Sequence, residues 1–361
     1  MSKSYLKIKL RRPFYGSLLL LGIGLVSQPA LSFELSFDVQ GRLSFETQRF
    51  LDTGLYQQQT EYSLGTVFET ELYAEPEIEG SYNWGVTFAP FYRHDVIDSS
   101  RTHGDIRKAS IDWYGDSLEL GFGWKQVFWG TTNTQNLVNV INPADGLEGG
   151  AGLGGTKLGL LMANALFFTD FGQVELYLMP VFREQDFAGE ESRLRLGFRF
   201  EEDEARYEDG DEDRNLDVGI RWTHDIGDFT VGISYFKGTN RQPTFVPVFT
   251  QENLTLEQQL AFAQIEDQCS ADPECTDAFV PILEAYFEAN PSDLQAIEGG
   301  IAVRDLSNLA LDQLIALAPL YETFGQAGIE VAWLVAGSTF TLEAIYREKG
   351  TDLRGNEGPY A

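Results

Sequence analysis

Residues 33–46 read Phe-Glu-Leu-Ser-Phe-Asp-Val-Gln-Gly-Arg-Leu-Ser-Phe-Glu, and apolar and polar side chains alternate through most of the stretch. A period of two places successive side chains on opposite faces of a β-strand. The run exceeds the ~9–11 residues that a tilted strand needs to cross a bilayer, whereas strands of soluble proteins are usually about 5–6 residues long. The stretch therefore predicts a membrane-spanning strand. Its outward apolar face would carry Phe33, Leu35, Phe37, Val39, Leu43 and Phe45.

Further alternating segments follow along the chain, and the lengths of their connections alternate as well. Short turns are predicted near 76–81, 114–117, 169–172, 225–228 and 336–338. Long loops are predicted at 47–60, 94–105, 129–156, 184–214 and 238–324. Outer-membrane barrels have short periplasmic turns and long outer loops. The predicted fold class is all-β: an antiparallel transmembrane β-barrel with long outer loops and its N-terminus in the periplasm.

The first 32 residues have the features of a secretory signal peptide. Five Lys and Arg residues precede an apolar run from Ser17 to Val26, and Ala30-Leu31-Ser32 supplies small residues at the usual cleavage spacing. The apolar run is too short to span a bilayer as a helix. We therefore interpret 1–32 as a signal peptide and 33–349 as the barrel, exported to a bacterial outer membrane.

The charge of the chain excludes one class of partner. Residues 1–32 hold 5 of the 26 Lys and Arg residues and none of the 55 acidic ones, so the remainder has a net charge of −34. Such a chain does not bind nucleic acid through a basic face. The expected partners are outer-membrane lipid, an unidentified small solute and the barrel assembly machinery.

Two segments within the predicted outer loops differ from the strand pattern. Residues 193–200 alternate Arg with Leu and Phe, but a spanning strand here would reverse the side of every later loop, so we place them in an outer loop, as a short hairpin above the membrane. Residues 250–320 have apolar residues at helical spacing and predict a small α-helical insert. The insert contains the two cysteines, Cys269 and Cys275, which in an exported chain predict a disulfide.

The end of the chain differs from that of a complete barrel. The pattern counts 11 spanning strands, whereas bacterial single-chain barrels have an even number. The polar end at 350–361 follows the last clear strand. The expectation is a C-terminal truncation or one strand that the pattern misses.

Signals for an enzyme are weak. The three histidines, His94, His103 and His224, have no Ser or Asp partner at a recognisable spacing, and the sequence lacks a Gly-x-Ser-x-Gly elbow, a His-Glu-x-x-His motif and a phosphate loop. No catalytic residue, cofactor or metal site is predicted.

The stretch 122–145 is the strongest candidate for a functional site. Its strand places Lys125 on the polar face with Glu119, Gly121 and Gly123, and a polar loop follows. One interpretation is a loop that folds into a pore, with Lys125 attracting anions; the alternative is a surface loop whose Asn residues cap turns. A structural alternative for Lys125 is that Glu119 and Asp145 neutralise it and that it only anchors the loop. The residues predicted to line the constriction are Lys125, Trp129, Asn136, Asn139, Asn142 and Asp145.

The same stretch resembles a family. Lys125-Gln126-Val127-Phe128-Trp129-Gly130, followed by Asn142-Pro143-Ala144-Asp145, is similar to the Lys-Gln-x-x-Trp-Gly…Asn-Pro-x-Asp signature of uncharacterised, porin-like Gram-negative outer-membrane β-barrel proteins. The resemblance extends over most of 110–350. Members of that family continue past the last strand into a further barrel portion, so the resemblance also implies that this chain is truncated. It says little about mechanism.

The expected function is porin-like passage or binding of small solutes. One alternative is a structural or adhesive barrel that binds a partner through the insert at 250–320. A barrel enzyme acting on lipid or peptide is the third hypothesis, and a Ser–His pair at the lipid-facing rim would favour it.

Overall fold

The structure is a computed structural model of the chain. It describes residues 6–11, 33–54, 59–78, 83–132, 136–149, 157–189, 191–195, 200–208, 216–249, 315–335 and 337–348. Strands make up 65% of it and no described helix reaches seven residues, so the fold is all-β, as predicted.

Fifteen strands and three short 3-10 helices make up the described secondary structure. The strands are β1 Leu6–Arg11, β2 Phe33–Arg49, β3 Tyr62–Ile78, β4 Trp84–Asp95, β5 His103–Tyr114, β6 Leu118–Lys125, β7 Leu160–Thr169, β8 Gly172–Met179, β9 Arg206–Tyr207, β10 Asp217–Ile226, β11 Phe229–Thr239, β12 Thr244–Phe249, β13 Ile315–Tyr321, β14 Thr323–Val335 and β15 Ser338–Arg347. The 3-10 helices are Ser99–Arg101, Gly146–Glu148 and Glu202–Glu204.

Most strands belong to one antiparallel sheet of twelve. Its order is β1 to β8, then β10, β11, β14 and β15, and each strand pairs with the next. The sheet is not closed, because β1 and β15 are its two edges. Short turns join β5 to β6, β7 to β8 and β10 to β11 at one end, and the long connections lie at the other. The alternation of connection lengths is the one the sequence indicates.

The two faces of the main sheet differ in chemistry. On β6, for example, Gly121 and Gly123 are buried while Phe122 between them is 60% exposed. The pairing register carries this division from strand to strand, so one face is apolar and exposed and the other is polar. The apolar face includes Leu43, Phe45, Phe68, Phe88, Ile111, Leu120, Phe122, Leu176, Leu178, Ile220, Ile233, Ile329, Phe340 and Leu342.

The structure departs from the sequence interpretation at the N-terminus. Leu6–Arg11, which we assigned to a signal peptide outside the fold, pairs antiparallel with β2 from Leu6↔Val39 to Arg11↔Glu34. An open sheet edge presents unpaired N–H and C=O groups, and any extended segment nearby satisfies them by pairing. The assignment of 1–32 as a signal peptide stays a prediction.

A second, three-stranded sheet lies among the long connections. β12 pairs antiparallel with β13, and β13 pairs in parallel with β9. Phe200 also bridges to Leu317 in parallel. Of the short hairpin expected at 193–200, the structure describes only 193–195 and 200, so the hairpin stays a prediction. β8 pairs directly with β10, so no strand from 193–200 intervenes in the main sheet.

Other expectations lie outside the described residues. These are residues 250–314 of the helical insert, with Cys269 and Cys275, and the polar end at 350–361. The helical prediction is wrong at the described end of the insert, because 315–320 belong to strand β13, where they pair with β12. Within the described ranges, none of the helices is long and apolar enough to cross a membrane.

Candidate functional site

The connection from β6 to β7, residues 126–159, lies against the polar face of the main sheet, and we call it the cross-sheet loop. Its described parts are 126–132, 136–149 and 157–159. One end contacts β4 and β5, and the other contacts β15. The loop therefore crosses the polar face from one side of the sheet towards the other.

An apolar cluster fixes the middle of the loop. Trp129, Val138 and Ile141 are at most 1% exposed and pack on side chains of the sheet. The Trp129 and Tyr177 rings meet edge to face with centroids 5.8 Å apart, a favourable aromatic geometry. The sheet side of the cluster comprises Leu160, Met162, Tyr177, Met179, Phe236 and Phe324. These apolar residues of the sheet lie where the loop covers it.

Two glycines of the sheet allow the loop to approach closely. A Cβ atom added at Gly219 would lie 3.0 Å from Cη2 of Trp129, and one added at Gly328 would lie 2.7 Å from Cγ1 of Val138. A glycine inside a strand often marks such an approach of another segment. Side chains at these positions would lift the loop from the sheet.

Asn142 holds the two limbs of the loop together. Its Oδ1 accepts a hydrogen bond from the Val127 backbone N–H at 2.8 Å. Its Nδ2 donates to the backbone carbonyls of Lys125 at 2.8 Å and Leu158 at 2.9 Å. Since Asn142 is fully buried, each of these bonds satisfies a group that water does not reach. Asn142 is therefore a structural residue of the loop and does not line an open surface.

A carboxylate on β15 anchors the far end of the loop. Glu343 accepts hydrogen bonds from the backbone N–H groups of Thr131 at 2.8 Å, Thr132 at 3.0 Å and Leu137 at 2.7 Å. The Thr132 hydroxyl donates to it as well, at 3.0 Å. Hydrogen bonds to a charged acceptor are stronger than neutral ones. The sequence analysis did not predict this role for Glu343.

Asp145 anchors the near end. It caps the 3-10 helix by accepting from the N–H groups of Leu147 and Glu148, and it forms an ion pair with Arg107 at 2.5 Å. His103 Nε2 lies 3.7 Å from the same carboxylate. Burial alone would raise the pKa of Asp145, but hydrogen bonding from His103 and the charge of Arg107 hold that pKa below its ordinary value.

Glu148 adds a second contact at this end, with Arg93 of β4, which also pairs with Glu46 at 2.9 Å. The sequence contained Arg93, His103 and Arg107 at polar-face or strand-end positions, yet nothing in it indicates which carboxylate each would meet. That pairing depends on how the loop folds back.

Lys125 lies on the polar face, as the alternation predicts, but its partner differs from the two that the sequence suggested. Its Nζ forms an ion pair with Asp112 of β5 and donates to Oδ1 of Asn164 at 2.6 Å. A side chain at Gly121 would collide with this cluster. The ammonium is therefore neutralised within the sheet.

Asn136 and Asn139 shape the loop locally. Asn136 Oδ1 accepts from the Asn139 N–H at 2.9 Å, and Asn139 Oδ1 accepts from the Trp129 N–H at 3.5 Å. These hydrogen bonds are of the kind expected from a loop whose Asn residues cap turns.

A further anchor comes from the connection after β11. Arg241 is buried, donates from Nε to the Ile141 carbonyl at 2.9 Å and pairs with Asp217 at 2.6 Å. The loop is thus held from a neighbouring connection as well as from the sheet.

The comparisons with known proteins add no further identification. No protein-family model, no curated protein and no solved structure significantly matches the chain. The family resemblance in the 122–145 stretch stays a prediction. Within the described ranges, no group of three or more His, Cys, Asp or Glu residues is placed to hold a metal ion.

Proposed function

We propose that this protein is an outer-membrane β-barrel that passes or binds small solutes, with the cross-sheet loop narrowing its lumen. The observation that carries the proposal is the exposed apolar face of the main sheet. Soluble monomers rarely expose contiguous apolar patches larger than a few hundred Å². Here large aliphatic and aromatic side chains from β2 to β15 share one exposed face, and a lipid surface is the environment that matches it.

The polar face supports the same proposal. In a membrane barrel the inward face is polar, and loops fold into the lumen of some barrels. The cross-sheet loop lies on this face and is anchored at both ends by carboxylates, Asp145 and Glu343. A loop held in this way restricts the size of what passes. The proposal requires that the sheet close in the membrane, because open edges do not occur in lipid.

The membrane assignment predicts that charge is tolerated on one face only. Phe122→Arg places a cation on the apolar face, which costs about 2–4 kcal/mol near the bilayer centre. The control, Gln40→Arg, introduces the same cation at an exposed position of the polar face. Assembly is measured by heat-modifiable electrophoretic mobility of outer-membrane fractions.

We expect Phe122→Arg to lose the folded, membrane-inserted form and Gln40→Arg to retain it. Equal tolerance of both changes, with the protein soluble without detergent, would contradict the membrane assignment.

Passage of solutes is tested on the full chain in planar lipid bilayers. Discrete conductance steps, together with permeation of small sugars into proteoliposomes, support a channel. Folded, inserted protein that shows neither conductance nor solute binding would instead point to the structural or adhesive alternative.

A further inference from the structure

The polar face of the main sheet has a half that the cross-sheet loop covers and a half that it leaves open. The open half is the polar face of β2–β6 away from the long connections. Its charged side chains reach solvent: Arg42 is 64% exposed and Glu71 is 44% exposed. Under the proposed function, a solute that passes the loop meets this open half.

Every basic side chain of the open half is paired with a carboxylate. Arg42 donates to Glu69 at 2.6 Å, and Lys108 pairs with Glu71 at 2.8 Å. Lys125 is paired with Asp112. None of these three cations presents an uncompensated charge.

Carboxylates outnumber these cations. The pairing register puts Asp38 and Glu75 on the same face as Arg42 and Glu69, and β6 adds Glu119. Among the described side chains, none of these three is paired with a Lys or Arg. Among the described side chains, the open half of β2–β6 therefore carries six carboxylates, Asp38, Glu69, Glu71, Glu75, Asp112 and Glu119, against Arg42, Lys108 and Lys125. Strand β1, whose register places Lys7 opposite Asp38, belongs to the predicted signal peptide and is not counted.

A further group with more carboxylates than cations lies on β8, β10 and β14. Arg221 lies between two carboxylates, donating to Glu330 at 2.7 Å and to Glu175 at 3.1 Å. At this position one guanidinium meets two carboxylates.

We infer that the lumen selects small cations over small anions, and that the exposed pairs Arg42–Glu69 and Lys108–Glu71 set the degree of selection. Walls that carry one sign of charge raise the local concentration of the opposite ion, and carboxylate-lined pores are typical of cation channels. Lys125 does not reverse the sign, since Asp112 neutralises it. This inference rests on the proposed function.

The test is the reversal potential of the full chain in a planar bilayer under a KCl gradient at low ionic strength, where charges are least screened. The wild type is expected to reverse near the potassium equilibrium potential. Glu69→Gln/Glu71→Gln leaves Arg42 and Lys108 unpaired and should shift the reversal towards chloride. Arg42→Gln/Lys108→Gln should shift it further towards potassium.

The matched control is Glu61→Gln/Asp116→Asn, which removes two carboxylates at exposed positions outside the polar face of the strands. It should leave the reversal potential within the scatter of the wild type. Heat-modifiable mobility checks that each variant is folded.

The outcomes separate the two proposals. A conducting wild type that prefers chloride, or wall variants that shift no more than the control, overturns cation selection and leaves the channel intact. A folded, inserted protein without conductance removes the proposed function, and the selection with it.

Discussion

The covered and open halves of the polar face differ in how they satisfy their side chains. The covered half packs the cross-sheet loop on buried apolar residues, with Trp129 and Ile141 at most 1% exposed. The open half instead keeps charged pairs such as Arg42–Glu69 in contact with solvent. The same alternating strands form both halves. The difference therefore comes from which inward residues the loop meets, and only the covered half gains apolar burial.

The two halves should therefore contribute differently to the stability of the fold and to the proposed selection of ions. Apolar burial contributes the larger free energy, roughly 1.5–3 kcal/mol for each large side chain, while exposed ion pairs contribute about 0–1 kcal/mol. We therefore expect substitutions in the covered half to affect folding and the position of the loop. Under the proposed function, substitutions in the open half should affect the selection of ions.

The largest effect is expected from Trp129→Ala, which removes the largest buried side chain in the described part of the loop. Truncation of a buried aromatic costs about 3–5 kcal/mol. The loop should loosen, so thermal stability should fall and single-channel conductance should rise. The control is Phe128→Ala, next to it and 58% exposed, for which little change is expected. Unaltered conductance in folded Trp129→Ala would mean that the loop does not restrict passage.

Asn142→Ala should have an intermediate effect, measured by thermal unfolding in detergent. It leaves the Val127 N–H and the carbonyls of Lys125 and Leu158 without their partner. Buried polar groups without partners cost about 1–3 kcal/mol each, and we expect a loss of about 2–3 kcal/mol. Asn139→Ala is the comparison, because the one hydrogen bond that its side chain makes to the described residues, at 3.5 Å, is long. Equal losses in the two variants would contradict a special role for Asn142.

The smallest effect concerns pH and Asp145. Its folded-state pKa lies below the ordinary 3.8, so the ionised carboxylate stabilises the folded state above that pH. This contribution is lost as the pH falls through the lower, folded-state value. Asp145→Asn should lower stability at neutral pH by about 1.5 kcal/mol, as for a hydrogen bond to a charged group.

The difference between Asp145→Asn and the wild type should disappear in strong acid. Asp116→Asn, exposed in the turn after β5, should show neither effect. A difference that persists at pH 2 would assign Asp145 a purely steric role.

The sequence predicted the strands well because their signal is local. Alternation in 33–46, and again around Phe122, depends only on neighbouring residues and on the two-residue period of a strand. The lengths of the connections were predicted in the same way, from the spacing of the alternating segments. The parallel contact of Phe200 with Leu317 was missed because its partners lie far apart along the chain.

Sequence reasoning predicted only part of the candidate site. The pattern placed Lys125 on the polar face and drew attention to Trp129, Asn142 and Asp145. It did not predict that Asp112 would neutralise Lys125, nor that Glu343 would anchor the loop. Glu343 lies more than 200 residues from the N–H groups that it accepts, and no local pattern records such a pairing.

The sequence by itself therefore determined the two faces of the sheet, since the order of apolar and polar residues decides which side each occupies. Only the tertiary structure decided which part of the polar face is covered and which cations are neutralised. The physical reason is that hydrophobic alternation acts over a few residues, whereas ion pairing and loop packing depend on distances of a few ångströms between segments that only the folded sheet brings together.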